Sequence, residues 1–86
     1  MKEATQEQIR QRLQSAFAPV ELDVVDDGHK HIGHAGEGKG HFHVHIVSAA
    51  FAGCLPVKRH RMVYAVLSDL MDSGIHALSI DASDKI

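Results

Sequence analysis

Histidine is the residue type in this chain best suited to chemistry, and its spacing is uneven. Of eight histidines in 86 residues, six fall between His29 and His45. Three of them, His29, His31 and His34, sit in a glycine-dense stretch. Three more, His41, His43 and His45, alternate with Phe42, Val44 and Ile46. His60 and His76 stand apart. A neutral imidazole is the commonest protein ligand for transition metals, and it titrates near neutrality. The His-x-His-x-His row is limited by strand geometry: neighbours two apart rise only about 6.6–7 Å, but the end members lie about 13 Å apart. One zinc ion needs its nitrogens at about 2.0–2.1 Å, so the row alone cannot supply three ligands. A solvated sheet face, with incidental metal binding through one pair, is the expected reading of these three.

Other features are weaker. Lys58, Arg59, His60 and Arg61 follow Pro56 in the first turns of a helix, where the macrodipole disfavours positive charge. They suit phosphates, carboxylates or an acidic protein surface, or they form a solvated face. Gly33-His34-Ala35-Gly36 spells the Gly-x-x-Gly of nucleic-acid-binding KH loops, but such a loop joins two helices and this one joins two predicted strands. Cys54 has no histidine beside it in a nucleophile arrangement and reads as an ordinary free thiol. No catalytic dyad or phosphate loop is evident, and a chain this short has no room for a deep pocket. A binding protein is expected rather than an enzyme.

The elements that must position these residues follow from periodicity. Ile9, Leu13, Ala16 and Phe17 form the apolar stripe of a helix over about 6–17, with Thr5 and Gln8 spaced as a capping box and Pro19 stopping it. Residues 20–26 alternate as a strand with Val20, Leu22 and Val24 on one face. Five of the seven glycines lie in 28–40, which no packed element tolerates, so a long loop is expected there. Residues 41–48 form a second, antiparallel strand, and 49–53 a short turn of helix. Pro56 opens a helix to about Asp72, with Val63, Val66, Leu67 and Leu70 buried and Gly74 ending it in the left-handed region. Ile75–Asp81 makes a last strand, and the final five residues fray.

Composition sets the bounds. One domain over residues 1–86, with a core at about 5–81, is expected, and 44% hydrophobic with 23% charged residues is ordinary for a folded domain. The net charge of −2 argues against a strongly basic nucleic-acid binder. No apolar run approaches the roughly 20 residues needed to cross a bilayer. The polar N-terminus is unlike a signal peptide, and a single cysteine fits a reducing compartment. Cytoplasm, and no membrane association, are expected.

Three stretches in order resemble the BolA family. They are His41-Phe42-His43-Val44-His45-Ile46-Val47-Ser48 followed by Phe51-Ala52-Gly53, then Lys58-Arg59-His60-Arg61-Met62-Val63-Tyr64, then Ile75-His76-Ala77-Leu78-Ser79-Ile80. The resemblance implies an α+β fold of α-β-β-α-α-β order like the class II KH domain, with helices on one face of a three-stranded mixed sheet. It implies a partner, a monothiol glutaredoxin with glutathione, and a 2Fe–2S cluster shared between them for iron–sulfur trafficking or iron regulation. By position, His76 is the first cluster ligand. His34 is the favoured loop ligand, with His31 and His29 as alternatives, since the loop holds no cysteine. The family's older association is with DNA binding and transcription, for which Lys58, Arg59 and Arg61 are the candidates. No cofactor is expected in the isolated protein, because ordering a glycine-rich loop costs about 1–2 kcal/mol per residue fixed. A monomer or weak homodimer is expected. His43 and His45 depart from the basic or aliphatic residues usual at those positions.

Overall fold

The computed structural model describes residues 6–26, 41–75 and 77–85. Its elements run α1 (Gln6–Phe17), β1 (Glu21–Asp26), β2 (His41–Val47), a single 3-10 turn (Ala49–Phe51), α2 (Pro56–Val66), α3 (Ser68–Ser73) and β3 (Ala77–Ser83). The sheet order is β1-β2-β3, with β1 antiparallel and β3 parallel to the central strand. This is the expected α+β order and mixed sheet.

Alternation in the strands decides which face the helices cover. Val24, Phe42, Val44 and Ile46 are buried, and Leu22, Leu78, Ile80 and Ala82 pack against the same cluster. Onto that face α1 lays Ile9 and Leu13, and α2 and α3 lay Val63 and Leu70, with Leu67 from the junction between them. The period-3.6 and period-2 apolar sets therefore meet in one core. No described helix covers the opposite face. That face carries Glu21, Asp23 and Val25 from β1, His41, His43 and His45 from β2, and Ala77, Ser79 and Asp81 from β3.

α1 ends as Pro19 dictates. Ala18 is driven out of the right-handed α region and takes φ 42°, while its N–H still bonds to the Gln14 carbonyl at 3.1 Å. Thr5, half of the anticipated capping box, lies outside the described residues, as does the loop expected over 28–40. Phe17 and Phe51 then meet with ring centroids 5.0 Å apart, and buried Ser48 donates to the Phe17 carbonyl at 2.6 Å and accepts from the Ala50 N–H at 3.1 Å.

Three expectations are corrected. The helix anticipated from Pro56 to about Asp72 is two helices. Leu67, at φ −102° and ψ 9°, closes α2 with its N–H shared between the Val63 and Tyr64 carbonyls. It opens α3 with its carbonyl taken by the Leu70 and Met71 N–H groups. Leu67 is fully buried at this break, in the same core as Val63 and Leu70, and the apolar periodicity runs through it without marking it. Gly74 ends α3 with φ 162°, an extended value open to any residue, and not in the left-handed region. Finally, β3 reaches Ser83 and does not fray after Asp81: its parallel register continues through Ala82 opposite Ile46 and Ser83 opposite Val47, and the Ser48 N–H bonds to the Ser83 carbonyl at 3.0 Å.

Candidate functional site

One end of the sheet gathers the strand termini that flank the predicted ligands. β1 finishes at Asp26, opposite Phe42, and β2 begins at His41, opposite Ala77, the first residue of β3. Adjacent strands lie about 4.8 Å apart. Segment 27–40 is therefore attached at both ends to neighbouring strands, and position 76 is attached to the third strand at the same edge. On the other side of position 76, Ile75 is buried and its N–H bonds to the Leu70 carbonyl at 3.2 Å. His76, His34, His31 and His29 themselves lie outside the described residues. Among the described residues, no group of three or more histidine, cysteine or acidic side chains is arranged to hold a metal ion.

The histidine row on β2 differs from the solvated face expected of it. His41, His43 and His45 are half-buried. His43 Nδ1 lies 3.0 Å from Ser79 Oγ on β3. His45 Nδ1 lies 2.9 Å from Asp81 Oδ2 on β3, and its Nε2 lies 3.3 Å from Glu21 Oε1 on β1. The hydrogen bond to Asp81 pushes the His45 pKa up, and Glu21 adds to that shift. The parallel register explains the first contacts: His43 faces Ser79 and His45 faces Asp81 across the ladder. Strand periodicity puts three histidines on one face, but only the tertiary register supplies their partners.

At the start of α2 the structure divides the basic cluster. Lys58, His60 and Arg61 are exposed. Arg59 turns the other way, donating to the Ala82 carbonyl at 3.3 Å and to Asp84 Oδ1 at 3.5 Å, with its side chain only 18% exposed. Arg59 is thus a brace between α2 and the end of β3, and of the three predicted binding residues Lys58 and Arg61 are the exposed ones. Asp84 lies in the stretch expected to fray, and no local pattern marks it. The N-terminus of α2 has no side-chain cap and no acidic residue in its first turn, so the charge there is positive throughout. Leu55 and Val57 are exposed beside it. Cys54 is a half-buried free thiol.

Comparison with known proteins identifies the arrangement. Residues 13–85 match the family model described as BolA-like protein. The chloroplastic protein BOLA1 of Arabidopsis thaliana is 47% identical over 77 residues, which are 84% of this chain and 48% of that protein. Its solved structure superposes with a TM-score of 0.83 at 42% identity, covering 96% of this chain and 94% of the other. The BolA domain of SufE1 from the same plant also gives 0.83, at 44% identity, with 96% and 94% covered. The DNA-binding transcriptional regulator BolA of Escherichia coli is 40% identical over 74 residues, 86% of this chain and 70% of that protein. The chain spans about half the length of BOLA1. None of these names is that of an enzyme. Family model, sequence identity and superposition agree, and the chain belongs to the BolA-like protein family.

Proposed function

We propose that this protein partners a monothiol glutaredoxin and co-ligates a shared 2Fe–2S cluster with it, for iron–sulfur trafficking or iron regulation in the cytoplasm. His76 and one histidine of segment 27–40, His34 before His31 or His29, are the ligands in this reading. The observation that supports it is the common sheet edge: Asp26, His41 and Ala77 begin or end their strands side by side. Two imidazoles tethered to such neighbouring points can serve one small cluster, while the glutaredoxin cysteine and glutathione supply thiolates. Histidine ligation raises a 2Fe–2S potential relative to all-thiolate ligation, and it requires neutral imidazoles, so cluster sharing weakens as pH falls. The solved BolA domain of SufE1 gives the reading a family setting.

The test is to mix the protein with a glutathione-loaded, cluster-bearing monothiol glutaredoxin and follow visible absorption and circular dichroism. Wild type changes the cluster spectrum; His76→Ala removes the change, and replacing His34, His31 and His29 in turn identifies the second ligand. An unaltered spectrum and affinity with His76→Ala overturns the assignment.

A second reading, a DNA-binding regulator, is favoured by the name of the Escherichia coli relative and by the exposure of Lys58 and Arg61 beside an uncapped helix start. Arg59, which reaches back to Ala82 and Asp84, is less exposed than Lys58 or Arg61.

A further inference from the structure

We propose that His45 is a proton-operated clasp across the open face of the sheet: as an imidazolium it donates from both ring nitrogens, to Asp81 on β3 and Glu21 on β1, and on losing its proton it releases Glu21. Donor count fixes the protonation state. An ionised carboxylate only accepts hydrogen bonds, and a neutral imidazole has one donor and one acceptor. With Asp81 Oδ2 at 2.9 Å from Nδ1 and Glu21 Oε1 at 3.3 Å from Nε2, a neutral ring would aim one lone pair at a carboxylate. Only the protonated ring satisfies both contacts. The shorter contact marks Nδ1–H as the donor kept in the neutral form, so the proton leaves from Nε2 and the link to β1 is the one that opens.

The surroundings favour the charged form. From β1, Glu21 and Asp23 face this position, Asp23 being the direct register partner of His45. From β3 comes Asp81, with Ser79 and Ser83 as uncharged neighbours. Along β2 the adjacent titratable group is His43, engaged with Ser79. Two carboxylates thus contact one imidazole whose side chain is 32% exposed, and a third residue of the same charge, Asp23, holds its register position on β1. Alternation alone assigns the row no partners, whereas in the structure its third member joins both edge strands through the central one. This inference stands apart from the cluster reading and holds whatever the protein binds.

The pH direction follows from linkage. A histidine whose pKa is higher folded than unfolded contributes stability that is fully present below its unfolded pKa of about 6.5 and is lost as pH rises through the folded pKa. Each unit of difference is worth a factor of about ten in the folding equilibrium. Nitrogen-15 NMR of the imidazoles and denaturant titrations between pH 5.5 and 8.5 test the clasp, using wild type, Glu21→Gln, Asp81→Asn and the double variant. The expected results are two protonated ring nitrogens on His45 at about pH 6.5, and a titration midpoint that falls in each single variant and further in the double one. Wild type should also lose stability relative to the double variant as pH rises, with faster amide exchange in β1 once the proton is gone. A neutral His45 ring at that pH, or a midpoint unmoved in the double variant, overturns the proposal. Both substituted positions are partly exposed, so the variants remain folded enough to read.

Discussion

At the residue scale, one hydroxyl holds a junction of three elements. Ser48 is the buried polar side chain among the described residues, bonded to the last carbonyl of α1 and to the turn after β2. Removing it takes two hydrogen bonds, each worth about 0.5–1.5 kcal/mol, from the part-buried Phe17 carbonyl and Ala50 N–H. Ser48→Ala should therefore cost about 1–3 kcal/mol, measured by denaturant unfolding. That is large against a total of about 5–15 kcal/mol for a small domain. The serine is part of the motif that resembles the BolA family, but its role is not readable from the motif. The carbonyl it serves is 31 residues away.

At the element scale, Leu67 joins α2 to α3 and lies fully buried in the core that both helices share with the sheet. Leu67→Ala should cost about 2–5 kcal/mol, the usual range for a leucine fully buried in a core, and should bring the domain close to unfolding. Thermal or denaturant midpoints check this. The ion pair of Arg12 with Asp69, at 2.5 and 2.7 Å, joins α1 to α3 on the outside. Its hydrogen bond to Arg12 holds the Asp69 pKa below the ordinary aspartate value. A lowered carboxylate pKa gives stability that is present above the unfolded value of about 3.9 and lost as pH falls through the folded one. Asp69→Asn should be slightly less stable than wild type at pH 6 and converge with it in strong acid. Both side chains are solvated, so the difference is expected to be much smaller than that of Leu67→Ala.

At the scale of the whole molecule, the charge distribution separates the two functional readings. The chain carries a formal net charge of −2, and its sheet face presents Glu21, Asp23 and Asp81. With Arg59 occupied, Lys58 and Arg61 remain as exposed cations of the helix start. Two phosphate contacts imply a log–log salt slope no steeper than roughly −1.8. A duplex-binding titration over a range of salt concentrations giving a much steeper slope would point to cations elsewhere. No described helix is long and apolar enough to cross a membrane.

Sequence by itself determined the strand and helix periods, the one-sided core and the membership of a family whose fold they match, because these depend on which residue types recur at spacings of 2 and 3.6. It also named four candidate ligands by position. Register, bending and partner choice belonged to the tertiary structure. A parallel pairing of β2 with β3 puts Asp81 beside His45 across 36 residues, and a brace from Arg59 to Asp84 leaves one arginine of an apparently basic patch less exposed than its neighbours. The histidine row shows the division best. Its three side chains on one face are legible in the alternation of residues 41–46, while the carboxylates that turn its last member into a two-armed donor come from strands that meet only in the folded sheet.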